Sequence, residues 1–170
     1  MVTLGLDAST NCVGYAFTED KKILDMGFID IKKETTPKDK VQKVLDFLNE
    51  SPYIDNTTII NVEDNLSGFA GGFTSQQTIV KLAKFNAILC FMLEHIFDIE
   101  PNNINPMTAR KNVFGKARVK GIKAKDLVKM KIEEMYNTKK WCKETTRGNW
   151  DNRNIDMYDG LVMSLFENKA

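Results

Sequence analysis

Histidine is almost missing from this chain: His95 is the one imidazole in 170 residues. That closes most histidine-based chemistry, including a Ser-His-Asp triad with another His left for a metal. Cysteine is scarce too. Cys12, Cys90 and Cys142 are odd in number, widely spaced and without a CxxC pair, which excludes a disulfide framework and a thiolate zinc site. No apolar run approaches ~18 residues, and the opening MVTLGLDAST has no basic stretch, so neither a membrane span nor a secretion signal is expected. A cytoplasmic protein is expected. Internal repeats and low-complexity tracts are also absent. Charge of one sign is missing in total: 24 Lys and Arg stand against 23 Asp and Glu, a formal +1. Taken as a sum, that balance argues against a nucleic-acid binder. What is present is the composition of an ordinary globular protein, 42% hydrophobic and 28% charged. A chain of this size buries roughly 70% of its unfolded surface and holds a core without staples. One domain over residues 1–170 is expected.

Three strands open the chain. Val2–Asp7 is a short apolar run ending in an acid, Cys12–Thr18 carries Val, Tyr and Phe, and Ile23–Ile31 alternates loosely, with Gly27 as a candidate bulge. The polar links DASTN and EDKK make this an antiparallel meander. Thr36-Pro37 fits an N-cap followed by Pro at the first helical position, and Val41, Val44, Leu45 and Leu48 space a helical stripe. Thr57–Glu63 is β-branched and reads as a buried strand that again ends in an acid. A long helix is expected over Ser75–Phe97, apolar on more than one side. A short strand near Asp98–Asn105 follows, then helices over Pro106–Val113, Lys123–Tyr136 and Ile155–Phe166. The pattern predicts an α/β domain: a mixed five-stranded sheet flanked by helices.

The strand-end acids Asp7 and Glu63 can share one rim of such a sheet. Asp156 and Asp159 stand i, i+3 on the last helix, which places them on one face about 5–6 Å apart at Cβ. Ile155, Leu161, Val162 and Leu165 put that face against the core. Carboxylates there need a partner, and a hard divalent cation supplies one, because Mg²⁺ takes oxygen ligands and keeps waters for substrate phosphates. Two such ions about 3.5–4 Å apart suit phosphodiester cleavage. Each acid taken singly also reads as a loop or cap residue, and the Asp156/Asp159 pair suits a helix macrodipole. The four in combination point to metal.

Charge is unevenly distributed. Arg110, Lys111, Lys116, Arg118, Lys120, Lys123, Lys125, Lys129 and Lys131 face only Asp126, nine bases against one acid within residues 110–131. That is +8, leaving −7 elsewhere. The stretch reads as a phosphate-tracking patch or as a solvated helix face. Phe69 and Phe73 lie in a glycine-rich loop just past Glu63; they read as wedges between bases or as staples of the loop onto the next helix. His95 reads as a surface or capping residue. Trp141 and Trp150 read as packed side chains or as stacking platforms.

The segments LGLDASTNCVGYAF, NVEDNLSGF and NIDMYDGLVMSL resemble the RuvC family of Holliday junction resolvases, of the ribonuclease H-like superfamily, and its phage-type members in particular. The family pattern is an acid ending the first strand, a glutamate closing the fourth, and D-x-x-D on the last helix. Asp7, Glu63, Asp156 and Asp159 match it in order. The resemblance implies a ribonuclease H-like fold and a homodimeric endonuclease that nicks opposing strands of a four-way DNA junction. It implies two Mg²⁺ ions per site, with Mn²⁺ as a possible substitute, held by those four acids. It further implies a bacterial or phage-infected cytoplasm, a dimer contact on the long helix, and an aromatic in the loop after Glu63. Lys111 and Lys125 match two lysines that approach the scissile phosphate, Lys125 in a catalytic role; plain backbone contact is the other reading for both. Lys116, Arg118, Lys120 and Lys123 join them as expected DNA contacts, with Phe69 and Phe73. Three other readings stay open. They are a ribonuclease H acting on RNA–DNA hybrids or other branched DNA, an inactive junction-binding module, and an actin-like phosphotransferase fragment. The last has Ala8 where such enzymes prefer glycine.

Overall fold

Alternation along the strands decides which face each side chain meets. In β1 (Val2–Ala8), Val2, Leu4, Leu6 and Ala8 enter one buried cluster, which leaves Thr3, Gly5 and Asp7 for the opposite face. In β2 (Cys12–Glu19), Val13, Tyr15 and Phe17 join that first cluster, whereas Cys12 and Ala16 belong to the second. β4 (Thr57–Glu63) repeats the pattern with Ile60 and Val62 on the first face and Asn61 and Glu63 on the other. The computed structural model describes residues 1–64 and 76–168; the readings of Phe69 and Phe73 lie outside these residues.

With β3 (Lys22–Asp30) and β5 (Asn102–Ile104), the strands form a five-stranded mixed sheet of order β3-β2-β1-β4-β5. The first three strands are antiparallel neighbours, and β1–β4 and β4–β5 are parallel. A two-residue turn joins β2 to β3, with Asp20 and Lys21 both at positive φ, as a twisted hairpin requires. The bulge expected at Gly27 lies elsewhere. Gly27 pairs in register with Tyr15, and the register slips between Phe17 and Thr18, opposite Leu24. A side chain at Gly27 would instead press on the Tyr15 ring.

Helices cover both faces. α1 (Pro37–Asn49) starts at Thr36, whose hydroxyl accepts from the Asp39 amide at 3.1 Å, with Pro37 in the first turn. It buries Val41, Val44, Leu45 and Leu48 on the first face, beside Phe85, Leu89 and Leu93 of α2 (Gln76–Phe97). The second face carries α3 (Pro106–Phe114), α4 (Ala124–Met135) and α5 (Asn154–Leu165). α5 lies directly on β1 and β2, and every residue but Asp156 is buried. No described helix is long and apolar enough to cross a membrane.

Such contact needs an unusually close approach. A Cβ at Gly5 would overlap the backbone of Ser164 and Gly160, and one at Gly14 would overlap the carbonyl of Asp156. The absent side chains let the α5 backbone rest on the strands, and this sets the height of its acids above the sheet.

Candidate active site

Asp7 and Glu63 point to the α5 side of the sheet from adjacent parallel strands. The last paired residues are Leu6 and Val62, so the two acids follow side by side at one rim. Asp7 and Glu63 are each 7% exposed, Asp159 is 5% exposed, and Asp156 is half-buried. The first turns of α5 are held down at the same rim. Arg153 donates to Asp30 at the end of β3 (2.6 Å) and to the buried Asp151 (2.7 Å). Asn154 exchanges hydrogen bonds with the Lys143 backbone (2.8 and 2.9 Å). These contacts aim Asp156 and Asp159 at the strand ends.

The four acids share one electrostatic environment. Burial pushes the Asp7 carboxyl well above its ordinary range, with Glu63, Asp159 and Asp156 adding repulsion and Lys125 opposing. Burial and the charge of Asp159 push Glu63 up to about 8, against Arg110 and Lys125. Asp159 and Asp156 are raised in the same way by burial, each opposed by Lys125. The Cys12 thiol hydrogen-bonds Asp156, and burial together with that carboxylate pushes the thiol far up. Four carboxyls raised by burial, three of them also by the charge of Asp156, form a site short of positive charge.

The donor set fits a hard divalent cation. All four groups offer oxygen, and Glu63 Oε2 is buried without a hydrogen-bond partner among the described residues, a lone pair available to a ligand. Among the described residues no group of three or more Asp, Glu, His or Cys side chains is arranged as a cage that could hold a metal ion. Mg²⁺ does not need one, because it keeps several waters and takes only some ligands from protein.

Positive groups reach the acids from two helices. Lys125, exposed in the first turn of α4, acts on all four carboxylates. From α3 the residue that arrives is Arg110, whose Nη2 donates to Asp159 Oδ1 at 3.3 Å with only 13% of its side chain exposed. Lys111 is exposed on the neighbouring helical position and forms no salt bridge with a described residue. Asn105 accepts from the amides of Met107 and Thr108, and Ala109 is fully buried. That cap and that contact set the phase of α3, which turns position 110 inward and position 111 out. Sequence reasoning counts Arg110 only as part of a basic stretch; its signal is its place beside a core-facing alanine on a helix opened by Asn-Pro.

Beyond α3 the chain makes a tight turn, with Gly115 and Gly121 at positive φ and a bridge between Val119 and Ile122. Lys116, Arg118, Lys120 and Lys123 are exposed on it and form no salt bridge among the described residues. Trp141 and Trp150 pack against the α5 core cluster, with Lys140 over one ring at 3.8 Å and Lys129 over the other at 4.1 Å. His95 is exposed near the end of α2, stacked on Phe91.

No family model matches the sequence, and no curated protein matches it either. Solved structures do. RuvC of T. thermophilus in complex with a Holliday junction substrate superposes with a TM-score of 0.64 at 12% identity, over 97% of this chain and 90% of that one. A second Thermus thermophilus RuvC structure gives 0.59 at 14% identity, over 97% and 92%. This chain has the fold of RuvC, a ribonuclease H-like α/β fold.

Proposed function

We propose that the chain is a structure-selective DNA endonuclease, one ribonuclease H-like domain that resolves four-way junctions by metal-dependent hydrolysis. The observation that carries this reading is the gathering of Asp7, Glu63, Asp156 and Asp159 at one rim, on the fold of a protein solved with a Holliday junction. Asp7, Glu63, Asp156 and Asp159 would hold two Mg²⁺ ions, or Mn²⁺ in their place, and such ions would supply water activation and charge stabilisation for phosphodiester hydrolysis.

The chain's own groups do the remaining work. Lys125 stands where its ammonium offsets charge gathering on the phosphate in the transition state. Burial of Asp7 and Glu63 keeps bulk water from competing at the rim. Lys116, Arg118, Lys120 and Lys123 form a salt-sensitive track for the DNA backbone, with Lys111 at its edge. Phe69 and Phe73 are proposed contacts at the junction centre. A homodimer is proposed through the outer side of α2, where Val80, Ile88, Phe91 and Ile96 are exposed. A two-fold dimer presents two sites to a two-fold substrate.

Incubation with labelled four-way junction, linear duplex and RNA–DNA hybrid, with and without Mg²⁺, tests the reading. Symmetric nicking of the junction alone, dependent on Mg²⁺ and lost in Asp7→Asn, is the expected result. Equal cleavage of linear duplex, preference for the hybrid, or full activity of the variant would overturn it.

A further inference from the structure

Arg110 is a cation buried inside a site proposed to hold metal cations. Withdrawing a guanidinium from water costs several kcal/mol unless its donors are matched, and here they are matched only in part. Nη2 donates to Asp159 Oδ1 at 3.3 Å, a long charge-assisted bond, while the buried Nε has no partner among the described residues. Across the cluster Glu63, 93% buried by its 7% exposure, leaves Oε2 without a partner among the described residues as well. The cluster therefore contains an unsatisfied donor and an unsatisfied acceptor together. Two ligands of opposite sign would satisfy both, a divalent cation on the carboxylates and an anion with two oxygens for the guanidinium fork. Phosphate is an anion whose oxygens the fork matches, and it is the one that a DNA backbone supplies.

We infer that Arg110 is a resident counter-ion that competes with the divalent cation for Asp159 and is drawn off by a DNA phosphate, so that metal loading and DNA binding promote each other. Without DNA the guanidinium neutralises part of the acidic cluster, and a metal must share or displace it. With a phosphate at the rim, the guanidinium turns its donors to the phosphate oxygens and Asp159 is released to the metal. By linkage the coupling is reciprocal: the metal strengthens phosphate binding by the same factor. Such a device keeps the metal centre weakly loaded until a backbone arrives. The inference rests on the metal-centre reading of the site.

The test is calorimetric titration of the DNA-free protein with Mg²⁺ at fixed pH, using the wild type, Arg110→Gln, Arg110→Met and Arg110→Lys. The glutamine variant is expected to bind Mg²⁺ at least about fivefold more tightly than wild type, the low end of ordinary coupling. Arg110→Met, whose unbranched stem fills the same buried space, should do the same and serves if the glutamine variant fails to fold. Arg110→Lys keeps the charge and should stay near wild type. In parallel, the affinity for a four-way junction is measured with and without Ca²⁺; Ca²⁺ should tighten wild-type binding by a larger factor than it does for the variants lacking the charge. Unchanged or weaker Mg²⁺ binding in Arg110→Gln and Arg110→Met would overturn the proposal and leave Arg110 as a strut that holds Asp159. No Mg²⁺ binding by any of the four proteins would overturn it too. Because the calorimetry reads no cleavage, tighter binding in a protein that spares junctions would sustain the inference while refuting the proposed function.

Discussion

Gly14 lies directly beneath the carbonyl of Asp156, with no room for a methyl group between them. Gly14 is also the cross-strand partner of Asp7. One glycine thus links the strand that carries the first acid to the helix turn that carries the third. The spacing of the acids follows from backbone resting on backbone, which no side chain adjusts.

Replacement of Gly14 by Ala therefore must push α5 outward. Overpacking against rigid backbone is expected to cost about 3 kcal/mol or more, seen as a lower urea midpoint. Where the variant remains folded, it should also bind Mg²⁺ more weakly, since Asp156 moves away from Asp7. An unchanged midpoint would mean that α5 is not pinned by this contact.

The element plan is legible in the sequence because its signals are local. Thr36-Pro37 marks the start of α1 and the β-branched run marks Thr57–Glu63, both where the structure has them. Asp7 and Glu63 are legible as neighbours because each ends a buried strand. Arg110 is not legible in that way. Its contact with Asp159 spans 49 positions and depends on the rotation of α3 against α5, information that resides in packing and not in either helix alone. The bulge at Leu24 is hidden for a similar reason: Gly27 attracts attention as a bulge residue, yet its role is to make space for a ring on the neighbouring strand. An identity of 12% beside a TM-score of 0.64 reflects the same division, since a fold persists where most side chains differ.

The acidic cluster sets a pH dependence with a definite sign. Asp7, Glu63, Asp156 and Asp159 all have carboxyls raised by burial. A carboxyl raised in the folded state contributes stability that is complete below its unfolded value, about 4, and lost as pH rises through the folded value, about 8 for Glu63. In EDTA the unfolding free energy should fall between about pH 5 and pH 8, by up to ~1.4 kcal/mol per unit for each proton retained, and the urea midpoint with it. Asp151, held low by Arg153, acts at more acid pH and does not offset this slope. Mg²⁺ should restore stability most at the alkaline end, and Asp7→Asn should flatten the metal-free slope. A midpoint that rises over this range in EDTA would contradict the cluster's electrostatics.

Among the described residues the turn between α3 and α4 forms no salt bridge, so the phosphate contacts proposed for it should appear in the salt dependence of binding. Changing Lys116, Arg118, Lys120 and Lys123 together to Gln removes at most four duplex contacts. The slope of log affinity against log salt should then lessen by up to ~3.6, at about 0.9 per contact. These residues lie outside the core, so the thermal midpoint should hardly move. An unchanged slope would return the turn to an ordinary solvated surface.

The long helix α2 supplies a separable test of assembly. Its inner residues Leu82, Phe85, Leu89 and Leu93 are buried, whereas Phe91 is 66% exposed between Ile88 and His95. A glutamate at the centre of a two-fold contact meets its own copy, so Phe91→Glu introduces repulsion on both sides of one interface at once. Wild type should have the mass of a dimer in light scattering at micromolar concentration, and Phe91→Glu that of a monomer. The variant's calorimetric Mg²⁺ affinity should match wild type, because no acid of the cluster touches this side of α2. Its junction products should shift from paired nicks toward single ones, since one site then acts without its mate. A monomeric wild type, or a Phe91→Glu protein that stays dimeric, would remove the outer face of α2 as the dimer contact.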